Sequence, residues 1–193
     1  MRPYLDNCCL QRPLDDQTHP RIRVETEAVF SILAAIQSGD HQMISSEALE
    51  YEIQRTPDSD RRAEVISFLT LASERLEISD ATEAIALSFE HGGIRAMDAV
   101  HLALASNAKV DYFCTSFRPR ARGNQISVGI QPIAELTHRA KNVLVNELGA
   151  IDAMRFLNQF RAGNGDYTKD RLDLFKTDTV KCLVAEIKAL RKN

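Results

Sequence analysis

The sequence predicts an α/β fold, a three-layer sandwich with a mostly parallel central sheet flanked by helices. Short apolar segments alternate with longer segments in which apolar residues recur every three or four positions, as in amphipathic helices. Strands that alternate with helices usually pair in parallel through helical crossovers. One helical segment, Ala96–Ser106, is apolar on nearly every side and must therefore be almost wholly buried. We expect one such domain over residues 1–147 and a helical C-terminal extension over residues 148–193.

Each element is predicted from its local pattern. The strands are short apolar runs: Pro3–Leu5, Gln42–Ser45, Val110–Thr115 and Ile126–Ile130. The helices follow amphipathic periodicity and capping residues. They are Arg21–Gln37, a helix after the N-cap Ser46, a helix capped by Asp58 with Val65, Phe68, Leu69 and Ala72 inward, Asp80–Glu90, Ala96–Ser106 and Pro132–Asn146.

Composition excludes several classes of protein. The apolar fraction is 44%, as expected for a globular chain, and no apolar run approaches the roughly 20 residues of a membrane span. The first residues lack the apolar stretch of an export signal. The four cysteines have no C-x-x-C spacing, which argues against a zinc site or a disulfide framework. We therefore expect a cytoplasmic protein that does not enter a membrane.

Charge is divided unevenly along the chain. From Leu148 onward there are nine Lys and Arg against six Asp and Glu, a formal charge of +3. Since the whole chain carries −3, the first 147 residues carry −6. An acidic domain binds nucleic acid poorly unless cations or local arginines offset its field.

Acidic residues follow the elements that should end at one edge of the sheet. Asp6 ends the first strand, Glu50 or Glu52 follows the second, and Asp98 begins the buried helix. For each acid alone, the alternative explanation is a cap or a solvated side chain. Together at the carboxyl edge of a parallel sheet, they would favour a hard divalent cation, Mg²⁺ or Mn²⁺. Such an ion indicates phosphodiester hydrolysis.

Four segments resemble the PIN-domain family of metal-dependent ribonucleases, best known as toxins of bacterial toxin–antitoxin pairs. They occur in the order and approximate spacing of that family, over about the first 140 residues. The segments are YLDNCCL (Tyr4–Leu10), SEALEYEI (Ser46–Ile53), MDAVHLALA (Met97–Ala105) and DYFCTSF (Asp111–Phe117). The resemblance implies an endoribonuclease with a parallel sheet.

The resemblance also implies the site residues and partners. Asp6, Glu52 and Asp98 would be both the metal ligands and the catalytic residues, and Thr115 would lie near the site. The spacing from Ser46 selects Glu52 over Glu50, a choice that helix geometry leaves open. The implied partners are RNA and an antitoxin or a small helical protein, and we expect a homo-oligomer.

The chain departs from the family pattern at Phe117. PIN domains usually place an aspartate there, two residues after the threonine, so activity would be reduced. The alternative function is a catalytically weakened PIN-like module that binds RNA or protein. Arg118, Arg120 and Arg122 follow, where they would either contact RNA phosphates or form a solvated loop.

The extension must pack on the domain or on another chain, because so short a helical segment cannot bury its apolar residues alone. Two apolar surfaces are predicted, the second on a helix that Asp178 would cap: Ile151, Met154, Phe156, Leu157 and Phe160, then Val180, Leu183, Val184, Ile187 and Leu190. Its LRFL-like and GDYT segments resemble small proteins encoded beside PIN genes. It is therefore interpreted either as an extra helical layer or as a fused partner-like segment that restricts access to the acidic edge.

Overall fold

The computed structural model describes residues 1–116, 149–158 and 163–191. Its strands are β1 (Pro3–Leu5), β2 (Met43–Ser46), β3 (Ala72–Leu76) and β4 (Tyr112–Cys114). Its helices in the domain are α1 (Asn7–Gln11), α2 (Pro20–Gln37), α3 (Glu47–Gln54), α4 (Ser59–Leu69), α5 (Asp80–His91) and α6 (Ala96–Asn107). The extension contributes α7 (Ala150–Asn158), α8 (Tyr167–Leu174) and α9 (Val180–Leu190).

The described strands form one parallel sheet in the order β3-β2-β1-β4. The central strand β1 pairs with β2 at Tyr4 and Ile44, and with β4 from Pro3 to Leu5. Because these strands run in one direction, their carboxyl ends lie along a single edge. Asp6 follows β1 at this edge, and α3 begins there directly after β2. The predicted parallel sheet flanked by helices is confirmed.

Alternate side chains of the sheet face two helical layers. Leu5 and Met43 belong to a core that includes residues of α1, α2, α3, α4 and α7. On the opposite face, Tyr4 and Ile44 pack on Ala105 of α6. A further core lies among α3, α5, α6 and α9. The predicted helix over Ala96–Ser106 is confirmed within α6.

Capping side chains begin several helices. The predicted caps are confirmed at α3, where Ser46 accepts a hydrogen bond from the N–H of Leu49, and at α4, which Asp58 caps. The predicted cap of α9 is wrong. Thr179 caps that helix, whereas Asp178 lies 3.3 Å from the guanidinium of Arg55.

Strand β3 is absent from the sequence prediction, which placed Ala72 on the inward face of a helix. The helix α4 ends at Leu69, and Ala72 instead begins a strand at the edge of the sheet. The middle of β3 is polar and exposed, so it lacks the apolar pattern of a buried strand. The predicted strand Ile126–Ile130 and helix Pro132–Asn146 lie outside the described residues.

The extension packs on the domain of the same chain. Ile151 and Met154 join the core beneath α2, and one face of α9 joins the core beside α5 and α6. Two predicted members of these surfaces are exposed instead, Phe156 at 44% and Leu190 at 50%. Phe160 lies outside the described residues. Among the helices that the structure describes, none has the length and apolar content needed to cross a membrane.

Candidate functional site

Asp6 lies buried at the carboxyl edge of the sheet, where it caps α1. Its Oδ1 accepts a hydrogen bond from the N–H of Cys9 at 3.0 Å. The side chain of Thr115, just after β4, donates a second hydrogen bond to the carboxylate. Burial raises the pKa of Asp6, and the nearby charge of Arg171 opposes this rise. The structure therefore brings Thr115 next to the first predicted ligand.

Glu52 lies on α3 and is fully buried, with 0% of its surface exposed. The same helix carries Glu50, the alternative that helix geometry alone left open. Both carboxylate oxygens of Glu50 instead accept hydrogen bonds from Arg75, at 2.7 and 2.9 Å. Of these two acids, Glu52 is therefore the one that points into the protein.

Asp98 lies in the first turn of α6, and its side chain is 21% exposed. It is the most accessible of the three predicted ligands, because Asp6 and Glu52 are almost completely buried. A shallow pocket opens beside it, lined by Arg95, Met97, Asp98, Arg171, Leu172 and Phe175. We refer to Asp6, Glu52 and Asp98 as the carboxylate cluster.

Arg171 of α8 reaches into the carboxylate cluster from the extension. Its Nε donates to Oε1 of Glu52 at 2.5 Å, and its Nη1 donates to Oδ1 of Asp98. Only 4% of the side chain is exposed. Burial alone would raise the pKa of Glu52, but Arg171, with a hydrogen bond from His101, lowers it to about 2. The cluster therefore already binds a positive group.

Further hydrogen bonds fix the carboxylate of Glu52. His101 Nε2 lies 2.7 Å from Oε2, and the hydroxyl of Tyr167 donates to Oε1 at 2.9 Å. With Nε2 as the donor to the carboxylate, Nδ1 of His101 accepts from the Tyr4 hydroxyl at 2.7 Å. The Tyr4 oxygen in turn lies 2.6 Å from the hydroxyl of Ser46. Residues of the domain and of the extension thus orient Glu52 together.

Sequence reasoning missed His101, Tyr167 and Arg171. The signal in the sequence that could have pointed to them is their spacing along two helices. His101 follows Asp98 by three residues on α6, and Arg171 follows Tyr167 by four on α8. Residues three or four apart share a helix face. That spacing places each pair on one face but does not show what the face contacts.

A second buried arginine, Arg12, joins the domain to the start of α8. Its Nη1 lies 2.7 Å from Asp15 and 2.9 Å from Asp166, and its Nη2 donates to Thr168 at 2.7 Å. Glu25 lies 2.8 Å from its Nε. We refer to these five residues as the Arg12 cluster. They fix the N-terminal end of α8, the helix that carries Arg171.

The remaining predicted site residues, Phe117, Arg118, Arg120 and Arg122, lie outside the described residues. Across the parts of the chain that the structure describes, no three His, Cys, Asp or Glu side chains are grouped to hold one metal ion. In the arrangement described, a guanidinium lies between Glu52 and Asp98.

Comparisons of the chain with protein-family models, with curated proteins and with solved structures find no significant match.

Proposed function

We propose that the protein is a divalent-metal-dependent endoribonuclease that hydrolyses RNA phosphodiester bonds, with the carboxylate cluster as its metal site. The observation that carries the proposal is that three carboxylates from three separate chain segments lie around one buried guanidinium, that of Arg171. Asp6 and α3, the helix of Glu52, follow strands at the carboxyl edge of the parallel sheet, where ligands bind in such folds. Because gathered carboxylates repel one another, this arrangement favours a cationic ligand.

The donor atoms of the cluster fit magnesium or manganese. Carboxylate oxygens are the ligands that Mg²⁺ and Mn²⁺ prefer, and Asp6, Glu52 and Asp98 would hold the ion. When bound, such an ion lowers the pKa of a water ligand and neutralises charge on a phosphoryl oxygen. The pairing of Arg171 with two of these acids supports the assignment, since the same oxygens already bind a cationic group.

Neighbouring side chains would orient the two buried ligands. His101 holds Glu52 at 2.7 Å, and Thr115 donates a hydrogen bond to Asp6. Partners of this kind fix the direction in which a ligand presents its oxygens. Since Asp98 is the most exposed of the three, substrate would approach from its side.

RNA is the proposed substrate because of the resemblance to PIN-domain ribonucleases. The cluster itself repels phosphate, so positive groups must offset its charge. Arg118, Arg120 and Arg122 supply such groups in the sequence that follows β4. A toxin-like role in the cytoplasm, with an antitoxin or small helical protein as partner and a homo-oligomeric state, belongs to the same proposal.

A second candidate is a catalytically weakened PIN-like module that binds RNA or protein. Phe117 favours it, because a phenyl ring offers no oxygen ligand where the PIN family usually has an aspartate. Fewer carboxylates weaken divalent-ion binding. The two candidates therefore differ in affinity for Mn²⁺ and in cleavage of RNA.

The first test is cleavage of single-stranded RNA by the full chain, with Mn²⁺ raised to millimolar concentrations. We expect EDTA to abolish cleavage and Asp98→Asn to reduce it at least about a hundredfold. Glu50→Gln is the matched control and should keep wild-type activity, because Glu50 faces Arg75. Cleavage that persists in EDTA, or in a folded Asp98→Asn protein, would refute the metal mechanism.

A further inference from the structure

Arg171 takes up the oxygens that the proposed metal would need. Oε1 of Glu52 accepts from Arg171 Nε at 2.5 Å and from Tyr167 at 2.9 Å, while Oε2 accepts from His101 at 2.7 Å. Oδ1 of Asp98 accepts from Arg171 Nη1. A metal ion needs lone pairs on these same oxygens. The guanidinium and the ion would therefore compete for Oε1 of Glu52 and Oδ1 of Asp98.

The position of Arg171 is set by the rest of the extension. At the start of α8, Asp166 and Thr168 bind the guanidinium of Arg12, and the N–H of Tyr167 donates to Asp15 at 2.9 Å. The residues in these contacts are buried or nearly so. Tyr167 and Thr168 belong to the same helix as Arg171, and Asp166 precedes it directly. The contacts at the N-terminal end of α8 therefore fix the position from which Arg171 reaches the carboxylate cluster.

Asp98 lies where an ion from solvent would meet the guanidinium of Arg171. Its side chain is 21% exposed, and the pocket beside it is bordered by Arg171 itself and by Leu172 and Phe175. An ion that arrives from solvent meets Asp98 first and competes there with Nη1 of Arg171. Displacement then requires movement of one side chain and leaves the Arg12 cluster intact.

We propose that Arg171 is a built-in inhibitor that competes with a divalent cation for Glu52 and Asp98. The inference rests on the proposed function for the identity of the cation. It predicts that the wild-type chain binds Mn²⁺ weakly, because each binding event must first separate one buried and one partly buried ion pair. Removing the guanidinium charge removes that requirement.

The test is Mn²⁺ affinity, measured by calorimetric titration and by electron paramagnetic resonance of free Mn²⁺. We expect Arg171→Gln to bind Mn²⁺ at least about tenfold more tightly than wild type. The matched control is Arg155→Gln, since Arg155 is an exposed arginine of the extension that lies 3.6 Å from Glu27. That control should bind Mn²⁺ as wild type does. Asp98→Asn added to Arg171→Gln should abolish the gain.

A second variant covers the case in which Arg171→Gln fails to fold, as judged by circular dichroism. Arg171→Lys keeps the positive charge but replaces the planar fork by a single ammonium group, which cannot make the same paired contacts. Its Mn²⁺ affinity should lie between those of wild type and Arg171→Gln. A folded variant of either kind that binds Mn²⁺ no more tightly than wild type would overturn the inference.

RNA cleavage separates this inference from the proposed function. Tighter Mn²⁺ binding by Arg171→Gln without any Mn²⁺-dependent cleavage would support competition at the cluster and refute the nuclease. Wild-type cleavage with unchanged Mn²⁺ affinity in Arg171→Gln would support the nuclease and refute the inhibitor. Tighter binding with faster cleavage supports both.

Discussion

Among the described residues, the two buried arginines, Arg12 and Arg171, both pair with acids but differ in what those acids belong to. Their side chains are 2% and 4% exposed, and each pairs with carboxylates across the boundary between the domain and the extension. Arg12 belongs to the domain and binds the start of α8. Arg171 belongs to α8 and binds acids of the domain.

The acids around the two arginines differ in their access to other positive charges, either a second arginine or an ion from solvent. The carboxylate of Asp15 in the Arg12 cluster is completely buried and also pairs with Arg61. In the carboxylate cluster, Asp98 reaches the surface, and its described ion pair is the one with Arg171. Buried ion pairs add little net stability, although breaking one is strongly destabilising. We infer that Arg12 serves the fold, whereas the role of Arg171 can pass to another cation.

The largest expected effect comes from replacing Arg12. Arg12→Gln should lower the free energy of unfolding by about 3 kcal/mol, because buried Asp15 loses one of its guanidinium partners. Arg171→Gln should lower it by about 2 kcal/mol in a metal-free buffer, because Glu52 keeps His101 and Tyr167 as donors. Urea denaturation in EDTA measures both values.

Addition of Mn²⁺ then separates the two variants. A ligand at 100 times its dissociation constant stabilises the folded state by about 2.7 kcal/mol, so Mn²⁺ should restore Arg171→Gln. The stability of Arg12→Gln should respond to Mn²⁺ no more than that of wild type. If Mn²⁺ stabilises both variants equally, the inference that only the partners of Arg171 accept another cation is wrong.

An intermediate loss of stability is expected on replacement of Tyr4. This replacement tests how much the hydrogen bonds made within the domain contribute to the orientation of Glu52. Tyr4→Phe removes the hydroxyl that joins Ser46 to His101 and leaves their buried polar atoms without that partner. We expect a loss of about 1–2 kcal/mol in urea denaturation. Tyr112→Phe is the control, because Tyr112 is 56% exposed and should lose almost nothing. A loss as small as that of the control would show that the chain of hydrogen bonds from Tyr4 contributes little.

The smallest effect is expected at a third contact between domain and extension, where Glu47 pairs with Arg191. Burial raises the pKa of Glu47, but Arg191 and the N–H of Ile78 outweigh it and lower the pKa below 4.5. A carboxyl group with a lowered folded pKa stabilises the fold above its unfolded pKa, and this contribution is lost as the pH falls through the folded pKa. Glu47→Gln should therefore cost about 1 kcal/mol at neutral pH.

The difference in melting temperature between wild type and Glu47→Gln should shrink progressively once the pH falls below 4.5. Glu77→Gln provides the control, since Glu77 is 63% exposed and its ion-pair distances are 3.7 and 3.8 Å. Its difference from wild type should remain near zero at every pH. A difference for Glu47→Gln that grows on acidification would contradict the assigned direction of the pKa shift.

Local signals explain which parts of the fold the sequence predicted. Ser46 and Asp58 start their helices by hydrogen bonds to residues two or three positions away, so a short stretch of sequence contains the information. The strand β3 gave no such signal, because an edge strand need not be apolar and its middle residues face solvent.

The part of the candidate site that could be predicted from the sequence is the part fixed by the direction of the strands. Asp6 comes directly after β1, so a parallel sheet places it at the carboxyl edge. The choice of Glu52 came from the family pattern, and in the structure Glu52 is buried while Glu50 pairs with Arg75. Arg171 could not be found in this way. It lies 119 residues from Glu52, and a lone arginine in a charged helix has no local feature that indicates its partner.

Because Arg171 lies far along the chain from the carboxylate cluster, it is synthesised later than the acids with which it pairs. A ribosome makes Asp98 before Arg171, and 73 residues separate them. At about 5–20 residues per second, this distance corresponds to about 4–15 s of synthesis. During that interval the nascent chain contains all three acids of the carboxylate cluster without Arg171. The counter-charge that Arg171 supplies to Glu52 and Asp98 is thus acquired late in the synthesis of each molecule.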